Sequence, residues 1–157
     1  MDANTNLTTE PAERVLTLTR IFDAPRSLVF DAWTEPQHLI RWWGPRGFTM
    51  PTCEMDVRAG GKYRFRMRSP EGPEVWWHGI CREIVKPDRI VWTCSIDDAA
   101  GNSISGETVL TVTLEDQAGK TKLTLHQAMF ASDTLKESHN NGWNSAMERL
   151  AEYLATV

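Results

Sequence analysis

Gln37-His38-Leu39-Ile40-Arg41-Trp42-Trp43-Gly44-Pro45 sets two adjacent tryptophans where a short helical pattern meets a Gly-Pro break. Tryptophan is bulky, and its single indole N–H wants a partner when buried. Successive side chains on one helix or strand cannot both face the same side. One indole is therefore expected in the core and the other at the surface or at the rim of an opening. Helical spacing with Leu39 and Ile40 selects Trp43 as the inward member and leaves Trp42 as the rim residue. The Gly44 to Gly47 loop would then gate a cavity.

Upstream, residues 14–22 alternate and are rich in β-branched side chains, which predicts a strand. Asp23-Ala24-Pro25 ends it, and Leu28, Val29, Ala32 and Trp33 share one side of a helical stretch that Glu35-Pro36 interrupts. Downstream the period changes to two. Residues 52–58, 62–68, 74–85, 89–96, 107–115 and 120–129 read as strands joined by short turns, which favours an antiparallel meander. In 62–68, Tyr63, Phe65 and Met67 share one face, while Lys62, Arg64, Arg66 and Arg68 share the solvated one. Residues 134–155 lack proline and carry Leu135, Trp143, Ala146, Met147, Leu150 and Leu154 at helical spacing, with Ser132 or Asp133 to cap the start. Gly142 sits inside this helix, where glycine often marks a close approach or a kink.

The order is strand, two short helices, six strands, long helix. A sheet with one apolar face must cover it, and the short helices are too small to do so. The expected architecture is α+β: a curved antiparallel sheet of six or seven strands wrapped around the long C-terminal helix, with a pocket between them. Residues 1–12 are expected to form a flexible tail ahead of a single domain over 13–157.

Composition limits the function classes. A chain of 157 residues is one domain's worth, and its net charge of −4 argues against general nucleic-acid binding and against an anionic membrane surface. No apolar run approaches the ~20 residues a membrane helix needs, and the start shows no signal-peptide pattern, so a cytoplasmic location is expected. Cys53, Cys81 and Cys94 are odd in number and widely spaced, so they read as small buried hydrophobes rather than a disulfide framework or a zinc site.

The chain resembles the Bet v 1-like, START-like (SRPBCC) superfamily of helix-grip proteins, in the branch related to the activator of Hsp90 ATPase (AHSA1-like). The segments that carry the resemblance are Arg20-Ile21-Phe22-Asp23-Ala24-Pro25, Val29-Phe30-Asp31-Ala32-Trp33 and His38-Leu39-Ile40-Arg41-Trp42-Trp43-Gly44-Pro45. Asp56-Val57-Arg58-Ala59-Gly60-Gly61, Gly79-Ile80-Cys81-Arg82-Glu83-Ile84, Asp88-Arg89-Ile90-Val91, Gly142-Trp143 and Arg149-Leu150 follow in order. Ala59 departs from the proline many relatives place before the glycine pair. The resemblance implies a ligand cavity, since superfamily members bind sterols, lipids, polyketides and plant hormones, and some are cyclases. The eukaryotic Hsp90 activators add a separate chaperone-binding domain, for which this length leaves no room, so direct Hsp90 activation is not expected.

The candidate ligand-binding residues are Trp43, Phe48, Phe65, Met67, Trp92, Leu125, Trp143 and Met147 as walls, with Gln127 to orient the ligand by hydrogen bonding. Packing of the core competes with this reading for the whole aromatic set, which includes Trp33, Trp76 and Trp77. His78 is the weak catalytic candidate, as a general base near neutral pH. Its direction is open, because both registers of strand 74–85 offer an apolar face. His126 is expected outward by parity, and His38 and His139 on helix surfaces. Glu54 and Asp56 read as a solvated pair or as partners of Arg58 or Arg64. No metal site or cofactor is expected.

The leading functional expectation is non-catalytic binding of a small hydrophobic or amphipathic molecule. The alternatives are a polyketide cyclase or condensation-type enzyme using the same pocket, and a chaperone-associated or stress-related interaction module. A homodimer is compatible with the sequence.

Overall fold

The computed structural model describes residues 14–157; the tail expected over 1–12 lies outside the described residues. Strand β1 (Leu16–Phe22) is followed by helices α1 (Arg26–Thr34) and α2 (Pro36–Trp42). Strands β2 (Thr49–Met55), β3 (Lys62–Arg68), β4 (Glu74–Val85), β5 (Arg89–Asp98), β6 (Thr108–Gln117) and β7 (Lys120–Ala128) come next, and helix α3 (Asp133–Leu154) closes the chain. The strands form one antiparallel sheet in the order β1-β7-β6-β5-β4-β3-β2. From β2 to β7 every neighbour is also the next in sequence, as the short turns require, and only β1 joins from a distance.

The sheet curves around α3 in a helix-grip fold. Ser132 caps α3 through its hydroxyl, which accepts a hydrogen bond from the Leu135 amide at 3.2 Å. The helix turns Trp143, Ala146, Met147, Leu150 and Leu154 onto the concave face. There they meet Tyr63, Phe65, Trp92, Leu110, Val112, Leu123 and Leu125, all buried. Asn144 fixes the helix to β1 by accepting from Arg20 at 2.6 Å.

Strand β4 contains the register choice that sequence left open. Trp77 and Cys81 point inward, so Trp76, His78 and Ile80 point out. The register shifts between Cys81 and Glu83, a bulge that moves the inward set from odd to even positions. Just before it, Gly79 passes so close to β5 that a Cβ there would lie 1.9 Å from the Thr93 carbonyl oxygen. Only glycine fits such an approach.

The tryptophan pair departs from the expectation. Trp42 is fully buried, not at a rim: its ring sits 4.9 Å from Trp33 and its indole donates to the Ala32 carbonyl at 3.0 Å. Trp43 is buried as well. The reason is the helix end. Trp43 is the C-cap: its φ of −64° is still helical, but its ψ of 138° takes the chain out of the helix. With no further turn beside it, the indole packs on Phe65, Trp77 and Trp143, while Trp42 packs on Trp33. Helix α2 accordingly buries Leu39 and Trp42, and Ile40 faces solvent at 44% exposure.

Candidate functional site

A cleft of about 290 Å³ opens between the first half of α3 and the β3–β5 part of the sheet. Trp43, Gly44, Pro45 and Phe48 form one side; Met67, Val75, Trp77 and Ile96 come from the sheet. Ser138, His139, Gly142, Trp143 and Ala146 come from α3, and Ile104 closes in from the β5–β6 connection. Among the described residues the walls carry no Lys, Arg, Asp or Glu. At Gly142 an added Cβ would sit 3.5 Å from Pro45, an ordinary contact, so its missing side chain adds room to the cleft.

The loop at the mouth is held by α3. Arg149 donates from one Nη1 to the carbonyls of Trp43, Gly44 and Pro45 at 2.9, 3.0 and 3.1 Å. Arg46 adds a paired contact to Glu152 at 3.1 and 2.8 Å, and its amide donates to Ser145 Oγ at 2.7 Å. Gly44 has φ +87° and Gly47 φ +94°, the left-handed region where glycine is at ease. The Trp-Trp-Gly-Pro segment is thus a braced cleft edge.

The structure divides the sequence candidates. Trp43, Phe48, Met67 and Trp143 line the cleft. Phe65, Trp92, Leu125 and Met147 are not at the cleft but wholly enclosed behind it, because beyond Ala146 the helix packs directly on the sheet. Gln127 is also fully buried, and both ends of its amide are used. Its Nε2 donates to Thr108 Oγ1 at 2.9 Å and its Oε1 accepts from the Trp143 indole at 2.8 Å. The group expected to orient a ligand instead orients a wall tryptophan.

Trp33, Trp42, Trp43, Trp77, Trp92 and Trp143 form one contact network with ring centroids 4.9–6.1 Å apart. Tyr63 supports it: its hydroxyl donates to the Thr93 carbonyl at 2.7 Å and accepts from the Trp77 indole at 3.1 Å. Burial pushes the Tyr63 pKa well up, so the phenol stays protonated as that geometry needs. Trp76 lies apart on the outer face, with the Arg64 guanidinium 4.2 Å above its ring.

His78 shares that outer face, where it contacts Asp97 at 2.9 Å beside an open groove of about 700 Å³. Glu54 pairs with Arg64 at 3.2 Å and Asp56 with Arg58 at 2.8 Å. The groove's charged groups are therefore largely matched to each other. His126 is exposed, and His38 is half-buried against the Tyr153 hydroxyl. His139 reverses its expectation, since it lines the cleft rather than an open helix surface. Its ring lies tilted against Trp77 at 5.8 Å and Phe130 at 5.0 Å. Residues 130–139 carry no strong apolar period, so only the packing of Phe130 and Trp77 shows this placement. Ile104 and Val75 were also missed, one in a loop and the other at a strand end.

Cys81 and Cys94 are buried, while Cys53 is half-buried; burial pushes the Cys53 and Cys94 thiols up to about 12. No cluster of metal-ligating side chains occurs among the described residues. No helix among them is long and apolar enough to cross a membrane.

The fold is shared with solved structures. A protein from Nitrosomonas europaea is 26% identical, with a TM-score of 0.77 over 92% of this chain and 96% of that one. One from Chromobacterium violaceum is 27% identical, with a TM-score of 0.78 over 90% and 96%. The AHSA1 protein of Silicibacter pomeroyi is 24% identical and has a TM-score of 0.82 over 90% and 98%, a likeness of fold. No curated protein matches the chain. The sequence model described as activator of Hsp90 ATPase homolog 1-like protein matches residues 23–155, and the chain belongs to that family.

Proposed function

We propose that the protein binds a small hydrophobic or amphipathic molecule in the cleft between α3 and the sheet. The family and fold suggest a ligand-binding or related activity. The observation that carries the finer reading is the cleft itself, about 290 Å³ with aromatic walls and, among the described residues, no Lys, Arg, Asp or Glu lining it. Its volume is roughly twice that of the ~150 Å³ apolar cavity that takes up benzene. That scale suits about two fused rings or a short branched chain. Apolar contact drives such binding at about 25 cal/mol per Å² buried.

The cyclase reading was built on His78, which lies on the opposite face of the sheet and does not serve the cleft. His139 is the titratable side chain that does line the cleft. Among the described residues no second acid or base stands there beside it, so binding without chemistry is the reading the walls support best.

Equilibrium dialysis with naphthalene tests the proposal, using the wild-type protein and Gly142→Leu. The added side chain enters the cleft from α3, on the side that faces Pro45. Saturable binding to the wild type and its loss in a folded Gly142→Leu variant support the reading. Equal binding by both, or by neither, refutes it. Native mass spectrometry of the same sample reads any co-purified molecule and the subunit count.

A further inference from the structure

Among the residues that line the cleft, His139 is the one with a side chain that titrates near neutral pH. Its Nδ1 lies 2.9 Å from the Leu135 carbonyl oxygen, one turn back on the same helix. A carbonyl oxygen only accepts, so Nδ1 carries the hydrogen. In the neutral ring Nε2 is then the lone-pair nitrogen. It lies on the far side of the ring from that bond and has no hydrogen-bond partner among the described residues. Burial lowers the His139 pKa from its ordinary 6.5, which keeps the ring neutral at physiological pH. The turn after β3 adds Ser69, whose buried Oγ has no hydrogen-bond partner either.

From this geometry we infer that the cleft selects a neutral aromatic alcohol or phenol, whose hydroxyl donates a hydrogen bond to His139 Nε2 while its rings lie against Trp77 and Trp143. The inference rests on the cleft being a ligand site. Three features converge on the class. The volume admits about two fused rings. The acceptor nitrogen favours a ligand that brings a donor. The absence of Lys or Arg from the walls disfavours a carboxylate, which would be buried without a counter-charge. His139 is here a binding residue, and no proton need leave the ligand.

The test is equilibrium dialysis at neutral pH with naphthalene, 2-naphthol and 2-naphthoate, on the wild type, His139→Leu and His139→Gln. One neutral hydrogen bond predicts that 2-naphthol binds the wild type about three- to tenfold more tightly than naphthalene. 2-Naphthoate binds more weakly than either. His139→Leu brings the ratio of 2-naphthol to naphthalene affinity to about one, and the ratio is the readout because the substituted residue lines the cleft. His139→Gln, which keeps an acceptor oxygen, restores part of it. Equal affinity of the wild type for naphthalene and 2-naphthol overturns the inference and leaves the cleft reading standing. So does a His139→Leu variant that weakens both ligands alike. Failure of naphthalene itself to bind the wild type overturns both.

Discussion

Replacing Gln127 by leucine would remove the polar bridge under the cleft. The amide lies fully buried between Thr108 and Trp143, with contacts of 2.9 and 2.8 Å. Thr108 keeps its own donor occupied on the Cys94 carbonyl at 3.4 Å, so its loss is small. The Trp143 indole is different, because it has no second acceptor among the described residues and would be left buried and unpaired. An orphaned group of this kind costs about 1–3 kcal/mol. Trp143→Phe alone instead orphans the Gln127 oxygen, at a similar polar cost plus the lost ring area. The double variant removes both orphans. It should therefore be less destabilised than the sum of the singles, by about 1–3 kcal/mol. Urea unfolding followed by far-ultraviolet circular dichroism measures this. With a slope of about 2 kcal/mol per molar urea, a loss of ~2 kcal/mol moves the midpoint down by about 1 M. A coupling below about 0.5 kcal/mol would mean the pair does not act as a unit, and the structural role given to Gln127 would fall.

Gly142→Ala should raise the unfolding midpoint, because alanine is better in a helix interior by up to ~1 kcal/mol and its Cβ meets Pro45 at an ordinary 3.5 Å; a lower midpoint would mean that contact is too tight. Arg149→Met removes a charged donor from three carbonyls of the mouth loop and should cost about 1.5–3 kcal/mol in urea unfolding. Proteolysis should then cut first near Arg46, and an unchanged cleavage pattern counts against the brace. His139 contributes a pH dependence whose sign follows from its lowered pKa. The unfolded chain takes up the proton first as pH falls through about 6.5, so a penalty absent above that value sets in below it and is complete below the folded pKa. The wild type should therefore lose stability relative to His139→Leu as pH falls below about 6.5; parallel curves would show that His139 is equally free to protonate in both states.

Much of the fold was legible because its signals are local. The alternation of Lys62 to Arg68 matches β3 residue for residue, with Tyr63, Phe65 and Met67 inward as expected. The helical spacing from Leu135 to Leu154 and the Ser132 cap describe α3 to within a residue at each end. The site was less legible. Parity gives the face of a side chain but not whether the space before it is filled, so Phe65 and Trp43 look alike in sequence. One ends under α3 and the other at the cleft.

The sequence by itself determined the α+β order, the antiparallel meander and the need for a long helix across the sheet. Periodicity and turn residues suffice for those, since each involves neighbours along the chain. Tertiary structure alone decided that both Trp42 and Trp43 go inward, because the turn at the end of α2 depends on what packs around it. It also decided which way β4 faces, where a bulge after Gly79 resets the register against β5. And it brought His139, more than sixty residues from Trp77, onto the same apolar cleft. These outcomes depend on contacts between residues distant in sequence, which no local pattern encodes.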